Sequence, residues 1–137
     1  MAVFDPREMN IVLDTEYDVR VWRRTLRQHL SRTRLAKCEA GCGTLLCQTG
    51  FDVHEGIVSR QDVRGWSLPE SAWIFCEYNC VMLCPDCNRN GPQPSRQFVW
   101  DLQCERYGLD AVKAWYLGLP WRTGKPPRYF EEGARDG

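Results

Sequence analysis

Two pairs of cysteines bracket a single histidine: Cys38 and Cys42 precede His54, and Cys84 and Cys87 follow it. Thiol pairs joined by a long insert can gather around one tetrahedral Zn²⁺. Cys84-Pro85-Asp86-Cys87 is a C-x-x-C turn, in which backbone amides support the sulfurs. Cys38 and Cys42 enclose three residues, and Gly41 gives room for that wider turn. Cys47 is a competing ligand for this first pair. Cys76, Cys80 and Cys104 have no partner at ligand spacing and read as small buried apolar side chains.

The insert between the pairs carries a second kind of chemistry. Hydrolysing a phosphodiester takes a deprotonated water and a cation that stabilises charge on the phosphate and leaving oxygen. An imidazole accepts that proton near neutral pH, and carboxylate and amide oxygens are hard ligands suited to Mg²⁺. His54, with Asp52 and Glu55 beside it and Asn79 five residues before Cys84, supplies such a set. Residues 51–59 read as a strand, so alternation puts Asp52 on the face of His54, with Val53 and Glu55 opposite. A bulge near Gly56 would turn Glu55 inward instead. In an alternative register His54 is the metal ligand and Glu55 the base. His54 is preferred as base because its ordinary pKa already lies near working pH.

Flanking elements must hold this insert. Asp14, Thr15 or Asp18 can cap a helix running to about Leu35, with Val19, Trp22, Leu26 and Leu30 along one side. From Arg20 to Lys37 the chain has seven cations and no acid: Arg20, Arg23, Arg24, Arg27, Arg32, Arg34 and Lys37. Such a stripe is either a solvated helix face or a phosphate-binding surface. Residues 1–14 read as a loosely ordered lead-in, and 59–70 as polar and turn-rich. Residues 71–75 fit a strand or a short helix equally. After the break at residues 90–94, Ser95 opens a helix through Tyr107 that Gly108 ends. A further helix spans Asp110 to about Leu117, with Val112, Trp115, Tyr116 and Leu119 packing inward, and the tail from Trp121 reads as irregular.

The order Cys38…Cys42, Val53-His54-Glu55-Gly56-Ile57, then Asn79 through Cys84-Pro85-Asp86-Cys87-Asn88 resembles the zinc-bound HNH endonucleases of phages and other mobile elements. The resemblance covers roughly residues 37–90. It implies an α+β fold: a ββα-metal finger stapled by a four-cysteine zinc site and flanked by N- and C-terminal helices. It implies His54 as general base, Asn79 as the middle residue and Asn88 in the third position, which usually holds histidine. An asparagine there coordinates hard cations better than soft ones, pointing to Mg²⁺ or Mn²⁺ as catalytic metal beside structural Zn²⁺. Asp52, Glu55 and Asn88 are then the candidate ligands of that metal. Many members carry an Asp or His immediately before the base, where this chain has Val53.

The chain is expected to be one compact domain with a basic helical arm at 1–36, the finger at 37–92 and helices at 93–137. With 18 Lys and Arg against 18 Asp and Glu, zero net charge argues against general nucleic-acid affinity. Local contacts from Arg20, Arg23, Arg24, Arg27, Arg34, Arg60 and Arg89, with Arg64 and Arg96 as further candidates, would instead hold DNA by its backbone. No apolar run is long enough to span a membrane, and the N-terminus lacks a secretory pattern. A cytoplasmic setting follows, where paired cysteines favour zinc over disulfides. One finger cuts one strand, so double-strand cleavage would call for a homodimer or a larger nucleoprotein assembly. Two other readings stand beside the nuclease. One is an inactive zinc-stabilised nucleic-acid or protein-binding module on the same scaffold. The other is an adaptor docking through Trp100, Trp115 and Trp121.

Overall fold

A computed structural model describes residues 3–34 and 36–121. Their order is α1 (Glu16–Thr33), α2 (Leu46–Thr49), β1 (Asp52–Glu55), α3 (Leu68–Ser71), a 3₁₀ turn (Ala72–Ile74), β2 (Cys80–Leu83), a π turn (Asp86–Asn90), α4 (Arg96–Tyr107) and α5 (Leu109–Leu117). The fold is a small α+β one in which β1 and β2 form a two-stranded antiparallel sheet. The register sets Asp52 opposite Leu83 and His54 opposite Val81.

Helix α1 begins where a side chain can satisfy its first amides. The Thr15 hydroxyl accepts from Asp18 N–H at 3.0 Å, and the Asp18 carboxylate accepts from Thr15 N–H at 3.2 Å. Trp22, Leu26 and Leu30 are buried on its inner side. They join a single apolar core with Val81, Met82 and Leu83 of β2, Val99 and Trp100 of α4, and Val112, Trp115 and Tyr116 of α5. The Trp22 indole donates to Phe75 O at 2.6 Å, which ties α1 to the turn after α3. With Trp100 and Trp115 only 4% exposed, the tryptophan docking surface of the adaptor reading does not form.

Several local expectations are corrected. The strand ends at Glu55, not residue 59, because the amides of Ile57 and Val58 turn to the side chain of Asn79. Gly56 still donates to Asn79 O at 2.9 Å, and a Cβ there would come within 2.7 Å of both Val99 methyls. The backbone therefore lies directly on α4. Residues 68–74 are helical, opened by Ser67 accepting from Glu70 N–H. Residues 80–83, directly before the second cysteine turn, form β2.

The N-terminal segment is pinned from residue 3 onwards. Phe4 N–H donates to Glu77 Oε1 at 2.9 Å, Glu77 N–H donates to Phe4 O, and Arg7 donates to Gly118 O at 2.9 Å. Helices α4 and α5 match the periodicity closely, with Ser95 accepting from Phe98 N–H and Gly108 at φ +94° between them. The tail expected beyond Trp121 lies outside the described residues. Among the described residues, no helix is long and apolar enough to cross a membrane.

Candidate functional site

The sulfurs of Cys38, Cys42, Cys84 and Cys87 all lie within 4.8 Å of one another. Cys42 Sγ and Cys84 Sγ are 3.8 Å apart. Zn–S bonds of about 2.3 Å give a tetrahedron with edges of about 3.8 Å, whereas a disulfide would need about 2.05 Å. The four thiols could therefore hold one metal ion, and their softness suits zinc. Cys47 is exposed and stands outside the cluster, so Cys42 completes the set.

Local hydrogen bonds shape each cysteine turn. A bridge between Lys37 and Leu45 closes the first, Cys38 N–H donates to Thr44 O, and Gly41 at φ +88° makes the reversal. Cys84 N–H points at Cys38 Sγ from 3.3 Å, joining the two turns. The Thr44 hydroxyl and amide pull the Cys42 thiol down to about 6, which favours the thiolate form that binds metal. Cys38 is pushed up, foremost by burial, and Cys87 is pushed up by its bonds to Cys42 and Cys84. Four sulfurs this close resist shared ionisation, and a divalent cation is what relieves that conflict.

Beside this cluster, Val53, His54, Glu55, Ser59, Arg60 and Asn88 line a hollow of about 260 Å³. His54 reaches it from β1 and Asn88 from the π turn directly after Cys87. Burial lowers the His54 pKa below its ordinary 6.5, and Arg96 adds to this while Glu55 opposes it. The imidazole is thus neutral, able to accept a proton, at physiological pH. Asn88 Nδ2 donates to Asp52 Oδ2 at 3.0 Å, which orients the amide, and Gln93 Nε2 donates to Asn88 Oδ1 at 2.9 Å.

The candidate metal ligands separate. Glu55 and Asn88 line the hollow, and Asp52 does not. Asp52 is held by both Arg89 Nε at 2.9 Å and Arg89 Nη2 at 2.7 Å, and that guanidinium keeps its carboxyl below the usual range. Asp52 therefore acts on the site through Asn88. Glu55, placed on the opposite strand face by alternation, still reaches the hollow because it ends β1 just before Gly56. It accepts from Arg60 Nε at 2.9 Å, an ion pair with no signal in the sequence.

Asn79 is corrected from a site residue to a structural clamp. It is fully buried, its Oδ1 accepts from Ile57 and Val58 N–H at 3.0 and 2.8 Å, and its Nδ2 donates to Val58 O and Ile74 O at 2.9 Å. All of its polar capacity is used, and none of it faces the hollow.

The arginines sort in the same way. Arg23, Arg24 and Arg27 line a cavity of about 330 Å³ with Val53, Glu55 and Phe75. Arg20, Arg60 and Arg64 line another of about 580 Å³ that also reaches Phe75. Each of these cavities shares wall residues with the hollow, the first through Val53 and Glu55 and the second through Arg60. Arg27 stacks 3.9 Å from the Phe51 ring centroid. Arg34 departs from the expected set. Its side chain is 3% exposed, paired with Glu39 and donating to Cys80 O, Glu77 O and the Tyr107 hydroxyl. Arg89 is exposed but committed to Asp52. Arg96 pairs with Asp62 and donates to Ile57 O.

Compared with protein-family models, curated proteins and solved structures, the chain matches none.

Proposed function

We propose that this chain is a metal-dependent DNA endonuclease of the HNH type, hydrolysing phosphodiester bonds with His54 as general base. One observation carries the reading. His54, Glu55 and Asn88 share a single hollow, with Asn88 directly after Cys87 of the four-cysteine cluster and Glu55 also walling a cavity lined with arginines. The ββα-metal description of residues 37–92 belongs to this proposal, with the π turn standing where the family has the start of its helix.

Each residue has a distinct task. Neutral His54 takes a proton from the water that attacks phosphorus. The Glu55 carboxylate and Asn88 Oδ1 are hard oxygen donors that would hold Mg²⁺ or Mn²⁺. Such an ion, when bound, stabilises charge on the phosphate and leaving oxygen. Asp52 holds the Asn88 amide by its nitrogen, which leaves Oδ1, the acceptor of the Gln93 amide, as the atom that would meet the cation. Zinc at the cysteines would be structural, coupling the turn that bears Asn88 to the body. Arg20, Arg23, Arg24, Arg27 and Arg60 would hold the DNA backbone.

The test is nicking of supercoiled plasmid by purified protein in Mg²⁺. His54→Ala should lower the rate about 10²- to 10⁴-fold, with zinc content and circular dichroism unchanged. Equal nicking by that variant would sink the assignment. A second reading, an inactive binding module on this scaffold, draws on the arginines that hold both Asp52 and Glu55. Plasmid retardation without any nicking would favour it.

A further inference from the structure

Arg60 stands at a junction. It lines the hollow and also the cavity of Arg20 and Arg64. Its Nε donates to Glu55 Oε1 at 2.9 Å, yet its side chain is 60% exposed, whereas that of Glu55 is 9% exposed. The guanidinium thus sits as a cover over Glu55, the one carboxylate among the described residues that lines the hollow. On its other side it lies 5.5 Å from the centroid of the Phe75 ring, and Arg23 lies 4.7 Å from that same ring. Two guanidiniums crowd one aromatic side chain, with Glu55 near both. Burial and the nearness of Arg60 lower the pKa of Arg23, as like charges do when forced together. This place has an excess of positive charge, and each guanidinium lines a cavity that reaches Phe75.

We propose that the Glu55–Arg60 ion pair is a latch released by DNA: a backbone phosphate taken between Arg23 and Arg60 draws Arg60 off Glu55 and leaves that carboxylate to a divalent cation. The inference rests on the nuclease reading of the hollow and says how its metal site is regulated. Without DNA, Arg60 and the cation compete for the same oxygen and repel each other. With DNA, the phosphate offers Arg60 a charge-assisted partner, and Arg60, the exposed member of the pair, is free to swing towards it. Cation and DNA therefore bind with positive coupling, and each raises the affinity for the other by the same factor.

The experiment measures Mn²⁺ binding to zinc-loaded protein by electron paramagnetic resonance, with and without a short duplex. A His54→Ala background keeps the duplex intact. In that parent protein the duplex should tighten Mn²⁺ binding by about five-fold or more. Arg60→Gln, a substitution at an exposed side chain, should tighten it by a similar factor without DNA and leave the duplex little to add. Arg64→Ala removes one charge from the same loop, and no contact joins it to Glu55, so without duplex it should bind Mn²⁺ as the parent does. The latch is overturned if Arg60→Gln binds Mn²⁺ no more tightly than the parent without duplex, or if Arg64→Ala gains as much. Plasmid nicking by the unmodified chain separates the two claims. Metal- and His54-dependent nicking with an unchanged Arg60→Gln affinity rejects the latch alone. Absence of both nicking and Mn²⁺ binding rejects the nuclease reading with it.

Discussion

Cys42 and Cys47 are both exposed thiols a few residues apart, yet only one of them reaches the other three sulfurs. The difference is the turn between Lys37 and Leu45, which folds Cys42 back over Cys38 and leaves Cys47 on α2. Cys42→Ser should therefore lose the bound zinc and destabilise the chain by several kcal/mol, on the order of a lost structural metal. Cys47→Ser should keep one zinc per chain and an unchanged melting temperature. Elemental analysis and thermal denaturation of the two variants check this, and zinc loss in Cys47→Ser would overturn the ligand set. Asp52 and Glu55 make a parallel pair. Both flank His54 in the sequence, but Arg89 holds the first away from the hollow, whereas the end of β1 delivers the second into it.

At the scale of elements, the loop after β1 is held by one side chain more than by strand pairing. Asn79 satisfies two amides and two carbonyls in a fully buried position. Truncation leaves all four groups without that partner, and buried polar groups left unpaired are costly. Asn79→Ala should destabilise the fold by about 3 kcal/mol, measured by denaturant unfolding. On the proposed nuclease reading it should also slow nicking, because His54 and Arg60 are carried on either side of the clamped segment. A stability change below about 1 kcal/mol would refute the clamp. The amphipathic spacing of α1, α4 and α5 was readable because helix burial repeats every three to four residues. The end of β1 was not, since it depends on a hydrogen-bonding side chain more than twenty residues away.

Across the whole molecule, Glu77 ties its own segment to three distant ones. Its carboxylate accepts from Phe4 N–H at 2.9 Å and from the Tyr107 hydroxyl at 2.5 Å, and pairs with His29 Nε2 at 2.8 Å. Gln103 on α4 donates to Glu77 O at 2.9 Å. Burial alone would raise the Glu77 pKa, but the Phe4 amide, the Tyr107 hydroxyl and His29 outweigh it and lower the value below its ordinary 4.5. A lowered carboxylate contributes stability above its unfolded value and loses it as pH falls through the folded one. The chain should therefore lose stability on acidification below about pH 4.5, and Glu77→Gln should lessen that loss while lowering stability at pH 7. Denaturant midpoints between pH 7 and pH 3 test this, and an identical acid slope in Glu77→Gln would reject it.

Residue types and their intervals in the chain were enough to mark the cysteine pairs, the histidine between them and the apolar stripes, because turn geometry and helical repeat act over a few residues. Which carboxylate borders the hollow, why Arg34 is interior, and that Arg60 covers Glu55 were settled only by folding. Those outcomes depend on distances between segments dozens of positions apart. A charged side chain takes whichever opposite charge packing brings nearest, and no local pattern encodes that choice.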